Sequence, residues 1–192
     1  MRKNKKGDII AATVRLVAQQ GVNGTSMRQI AENAGVTEGA LYRHFINKED
    51  LCQQAYCQVV TEMITTKESI SESSKSIRAK FREWVKVSYE YFDRFPDAFT
   101  YVVLISHDFP EGLDHVTSRQ SNLLAEIVEQ LPSIPNAAMR SAEVAVCHFT
   151  GVMLNVPRLI NEGALKGPAS GYTDEVVVAI WRMFKMEEYT AV

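Results

Sequence analysis

The stretch from Ser26 to Asn47 leaves the backbone few choices. Ser26 precedes Gln29 by three residues, the spacing of a capping box, in which the hydroxyl and the side-chain amide each satisfy a backbone N–H at a helix start. Gly35 follows, then a second N-cap candidate at Thr37 and a third at Asn47. Between these marks there is room for one short helix ending at Gly35 and another from Thr37 to about His44. Ile30, Ala31 and Ala34 supply the buried side of the first, and Leu41 and Phe45 point inward from the second. A helix of about two turns buries too little to stand alone. Ile30, Ala34, Val36, Leu41 and Phe45 must therefore hold the pair together. The corner Ala34-Gly35-Val36 needs a positive φ, which Gly35 supplies.

The second helix of this corner turns Glu38, Gly39, Tyr42 and Arg43 outward. Gly39 and Ala40 are small enough to let a helix backbone approach the floor of a DNA major groove. Charge distribution agrees. The net charge is −2, yet residues 1–50 hold eight Lys/Arg against five Asp/Glu, and residues 51–192 hold thirteen against eighteen. A positive head on an acidic body meets an anionic partner at the head alone.

The rest of the chain reads as helices, with no sustained alternation of apolar and polar residues. Ile9, Ile10, Thr13, Leu16 and Val17 form one face of a first helix, about 5–20, which Gly21 stops. A helix at about 47–66 carries the apolar line Leu51, Ala55, Val59, Met63 and links head to body; the Ser-rich run 69–76 reads as the connection. Further helices are expected at about 77–94, 97–107, 113–131, 137–162 and 173–186, with Pro157 kinking the penultimate one. The predicted fold is all-α, with a helix-turn-helix head over residues 1–50 and a helical bundle over 51–192. Three cysteines (Cys52, Cys57, Cys147) without a framework fit a reducing cytoplasm and small packed side chains. No metal, cofactor or membrane span is expected, and no nucleophile–base pair, phosphate loop or carboxylate pair points to an enzyme.

From Thr25 to Leu51 the chain closely resembles the DNA-binding head of the TetR family of bacterial regulators. Ile30-Ala31, Ala34-Gly35-Val36, Gly39, Leu41-Tyr42, His44-Phe45 and Lys48-Glu49-Asp50-Leu51 carry the match without a gap, and the likeness covers about the first 60 residues. The resemblance implies a recognition helix at Thr37–His44. It implies that Tyr42 contacts phosphate and sugar, and that Lys48 contacts phosphate from a helix start, where free N–H groups also face the anion. Arg28 and Thr37 would touch the DNA backbone or a nearby base. Glu38, Gly39, Ala40 and His44 stand where the family reads bases, with Arg43 beside them. Glu38 either accepts from a cytosine amino group or pairs with Arg28 or Arg43. The basic tail, residues 2–6, is either a solvated arm or a further DNA contact.

The resemblance also implies a homodimer on a palindromic operator, built through the last two long helices, and a small-molecule effector held in the body. A population shift would change the spacing of the two recognition helices, transmitted by the helix ending near His107. The aromatic-rich run 81–109 suggests apolar pocket walls, with Trp84, Phe92, Phe99, Val103 and Phe149 as candidates and His107, His148, Asn155 and Tyr89 as polar handles. The effector would be largely apolar or aromatic, releasing a repressor. A body filled solid would instead favour a DNA-bound protein that docks a partner protein.

Overall fold

The computed structural model describes residues 5–105, 118–131 and 141–184. Every regular element among them is helical. They divide into two compact units, one of residues 5–62 with 95–105 and the other of 63–94, 118–131 and 141–184.

The first unit opens with α1, Lys5–Gly24, which buries Ile9, Ile10, Val14 and Val17. The expected stop falls at Gly21, where the backbone leaves helical geometry (φ 76°) before a last turn to Gly24. Two short helices follow, α2 (Met27–Ala34) and α3 (Glu38–Leu41). Then comes α4, Lys48–Glu72, whose first half supplies Leu51, Ala55, Tyr56, Val59 and Val60 to the core. The helix expected at 97–107 is instead a single turn, α6 (Pro96–Phe99), running into a wider π-helical turn at Thr100–Leu104; His107 lies outside the described residues. This segment packs against α1, and the Tyr101 hydroxyl donates to the Cys52 carbonyl at 2.7 Å. That bond and the burial of Phe99 explain why 95–105 belongs with the head.

The second unit takes the far half of α4. Half of the Ser-rich stretch read as a connection is helix, since α4 continues to Glu72 and 73–76 joins it to α5 (Ile77–Arg94). Ile70 and Ser71 are buried, so core contacts override the weak helix preference of serine. The unit continues with α7 (Arg119–Val128), α8 (Ala142–Asn161) and, after a 3-10 turn at Ala169–Tyr172, α9 (Thr173–Phe184). Phe81 of α5 centres its core, with ring centroids 5.0 Å from Phe149 of α8 and 5.3 Å from Phe184 of α9. Asp93, at the end of α5, accepts from the N–H groups of Ala169 (2.7 Å) and Ser170 (3.0 Å), tying the 3-10 turn down.

Pro157 lies inside α8, which runs through it. Proline has no N–H, so the carbonyl four residues earlier, Met153, loses its helical donor. The Tyr89 hydroxyl of α5 replaces it at 2.8 Å, in a buried setting. Burial also pushes the Tyr89 phenol well above its usual pKa, so it stays a donor. Tyr89→Phe should orphan that carbonyl and cost about 1–3 kcal/mol in urea unfolding. In a Pro157→Ala background the restored N–H reclaims the carbonyl, and the same tyrosine change should cost less than half as much. Equal costs in both backgrounds would refute the relationship.

Candidate nucleic-acid interface

The corner is built as the sequence requires. Ser26 Oγ accepts from the Gln29 N–H (3.2 Å) while Gln29 Oε1 accepts from the Ser26 N–H (2.9 Å). Gly35 takes the left-handed conformation (φ 65°, ψ 37°), and the next residue, Val36, returns its N–H to the Ala31 carbonyl at 3.0 Å. Thr37 Oγ1 accepts from the Ala40 N–H (3.2 Å) and starts α3. Asn47 Oδ1 accepts from the Asp50 N–H (2.8 Å), and Asp50 Oδ2 reaches back to the Ile46 N–H (2.9 Å). Both ends of the recognition segment are thus locked by side chains.

Thr37, Glu38, Gly39, Tyr42, Arg43 and His44 are exposed, with Tyr42 at 53%. A Cβ added at Gly39 would meet nothing within 4 Å, so packing inside the chain does not demand a glycine there. Ala40, expected among the base-reading residues, is buried: it lies on the inner face of α3 with Leu41. Arg28 is exposed, and its Nε donates to Glu32 Oε1 at 3.0 Å. This bond, with a further pull from Glu38, makes the guanidinium hold its proton more tightly than usual. The direct partner of Arg28 is therefore Glu32, one turn away, rather than Glu38.

Lys48 has a job that the sequence reading missed. Its Nζ donates to the carbonyls of Val22 (3.0 Å) and Thr25 (3.2 Å), closing the turn between α1 and α2. A lysine at a helix start looks like a free charge; only the fold brings it beside carbonyls more than twenty residues earlier. Ile46 was also missed. It is 83% exposed, with its backbone held by Asp50, between buried Phe45 and capping Asn47. An isoleucine placed out of step with the buried positions was the available signal.

The body residues separate by unit. Trp84, Tyr89, Phe92 and Phe149 are buried in the second unit; Phe99 is buried and Val103 half-buried in the first. His148 and Asn155 correct the expectation of interior polar handles. Both are exposed on α8 and turn back to their own helix, His148 Nδ1 against the Val144 carbonyl (2.9 Å) and Asn155 Nδ2 donating to the Gly151 carbonyl (2.7 Å). They fall on the face of α8 opposite Ala145, Phe149 and Met153. The Tyr89 hydroxyl is committed to Met153. An open groove of about 450 Å³ on the second unit is lined by α5 and α9 residues that include Arg78, Arg82, Asp174 and Val178, and by none of the expected wall residues. Of the cysteines, Cys52 is buried and Cys57 half-buried, while Cys147 is exposed on α8, against the expectation of a packed side chain. No helix among the described residues is long and apolar enough to cross a membrane.

A capped two-helix corner with an open, small-residue outer face has the form of a helix-turn-helix DNA-binding head. Residues 9–55 match the family described as bacterial regulatory proteins, tetR family. The chain is 26% identical over 176 residues to the HTH-type transcriptional regulator BetI of Paraburkholderia phymatum, covering 87% of this chain and 85% of that one. It is 27% identical over 92 residues to the HTH-type transcriptional repressor KstR2 of Rhodococcus jostii, covering 48% and 45%. Its fold matches the transcriptional regulator FadR of Bacillus subtilis, solved in complex with stearoyl-CoA, with a TM-score of 0.73 at 18% identity over 91% of this chain and 96% of that one. These likenesses place the chain among helix-turn-helix transcriptional regulators, with the match to the tetR family lying over residues 9–55.

The Lys48 clamp sets a test. Lys48→Met should lower stability by about 1–3 kcal/mol, because two carbonyls lose a charged donor. Unchanged urea unfolding would limit Lys48 to a role outside the head's own fold.

Proposed function

We propose that the chain is a cytoplasmic repressor that binds a palindromic operator as a homodimer and is released by a small, largely apolar or aromatic effector. The observation that carries the DNA half is the exposed row Thr37, Glu38, Gly39, Tyr42, Arg43 and His44 on a segment locked at both ends. Gly39 leaves open space for a groove floor, and Tyr42 presents a hydroxyl for phosphate. Ile46 adds an apolar group able to meet a thymine methyl. Lys48 gives two N–H groups to carbonyls and keeps a third for phosphate.

The assembly half rests on α8. Its outer face exposes Val144, Cys147, His148, Gly151 and Asn155, at spacings that keep them on one side of the helix. Open space at Gly151 would let a second helix approach closely. The name of the Rhodococcus relative supports the sign of regulation, and the ligand in the Bacillus structure supports a small effector.

Selection from random DNA should return an inverted repeat with half-sites about one helical turn apart. Tyr42→Phe should weaken binding to all sequences alike, whereas Glu38→Ala should alter the selected consensus; an unaltered consensus would remove Glu38 from base reading. The wild type should sediment as a dimer at micromolar concentration, and Gly151→Arg should give a folded helical monomer. Wild-type monomer would overturn the dimer, and with it the palindrome.

A further inference from the structure

Two lysines are buried among the described residues, and they differ. Lys80 donates to the Ser71 carbonyl (2.8 Å), in the last turn of α4, and to Gln130 Oε1 (2.9 Å). An ammonium at a helix C-terminus meets carbonyls that lack intrahelical donors, so its burial serves the fold. Among the described residues Lys67 donates to no backbone group. It sits within α4, four residues beyond Met63 on the line Leu51, Ala55, Val59, Met63, and is 3% exposed. Its ammonium stands over the Trp84 ring, 4.8 Å from the centroid, and donates to the side-chain oxygen of Gln120. Among the described residues it forms no ion pair; the neighbouring carboxylates Glu68 and Glu126 are taken by Arg119. One amide oxygen and a ring face do not replace the water that a buried ammonium gives up.

Ser88 is the second observation. It is 1% exposed, and among the described residues its Oγ has no hydrogen-bond partner. It lies one turn beyond Trp84 on α5, and residues four apart share a helix face. A buried cation thus stands over the Trp84 indole, and a buried hydroxyl lies one helical turn from that residue on α5.

We propose that Lys67, Ser88 and Trp84 receive an anionic group, a carboxylate, sulfonate or phosphate, carried by an otherwise apolar small molecule. The ammonium neutralises the charge, the hydroxyl donates a further hydrogen bond and the indole forms an apolar wall. This rests on the effector reading above and narrows it to acids.

The test uses the full chain and two matched dyes, 8-anilinonaphthalene-1-sulfonate and its neutral counterpart N-phenyl-1-naphthylamine, followed by fluorescence. In Lys67→Met the sulfonate should bind about tenfold or more weakly, and in Ser88→Ala about threefold more weakly, with the neutral dye within about twofold. Thermal unfolding of Lys67→Met should not occur at a lower temperature, because removing a buried uncompensated charge does not weaken a fold. Sulfonate affinity should hold steady below pH 7 and fall above it. Burial pushes the Lys67 pKa down to about 7, and the lysine must carry its proton to receive the anion. Glu68, Glu126 and Arg119 are tied to one another, and Lys80 to Ser71 and Gln130, so the dependence should vanish in Lys67→Met. Dodecanoate and dodecyl phosphate should displace the sulfonate where dodecan-1-ol does not, and whichever of the two acts at the lower concentration distinguishes carboxylate from phosphate. Equal loss of both dyes, or equal displacement by the alcohol, overturns the proposal but leaves an effector pocket standing. Failure of either dye to bind the wild type at all overturns both.

Discussion

A chain made only of helices must find a partner for every backbone group that a helix end or break leaves open. In this protein side chains from distant elements meet much of that demand. Lys48 takes the carbonyls between α1 and α2, and Lys80 takes one at the end of α4. Asp93 takes two N–H groups at the 3-10 turn, and Tyr89 takes the carbonyl freed by Pro157. Each bond also fixes one element against another. The head keeps its recognition segment in place by the same means, with Ser26, Thr37 and Asn47 closing helix starts.

Much of this was legible in the sequence because caps and glycines act locally. The capping box at Ser26, the left-handed Gly35, the caps at Thr37 and Asn47 and the break at Gly21 all depend on neighbours within a few residues. The outward row on α3 followed from them, except Ala40, whose small side chain suits a groove and a core equally well. The body was read less well. His148 and Asn155 stand among apolar neighbours in sequence but occupy the other side of α8, and aromatic content alone could not separate packed rings from pocket walls. The Ser-rich end of α4 looked like a linker because serine favours breaks when nothing else intervenes, whereas Ile70 and Ser71 are buried.

The buried lysines show where pattern reading stops short. Continuing the four-residue line of α4 beyond Met63 lands on Lys67, and stepping back four from Trp84 lands on Lys80. Both were visible as charges on an apolar line. Their difference was not, since one answers a helix terminus and the other, among the described residues, answers no backbone group. Against a molecule in which buried donors are matched to backbone acceptors, Lys67 and Ser88 stand apart.

The dependence of Pro157 on Tyr89 has an evolutionary direction. A lineage that exchanges the proline first regains a helical N–H, and the tyrosine is then free to drift. A lineage that loses the tyrosine first passes through a chain with a stranded carbonyl in its core. Descent should therefore run as a ratchet: chains with tyrosine and no proline are permitted intermediates, and chains with proline and phenylalanine should be rare unless another donor has arrived to take the tyrosine's place.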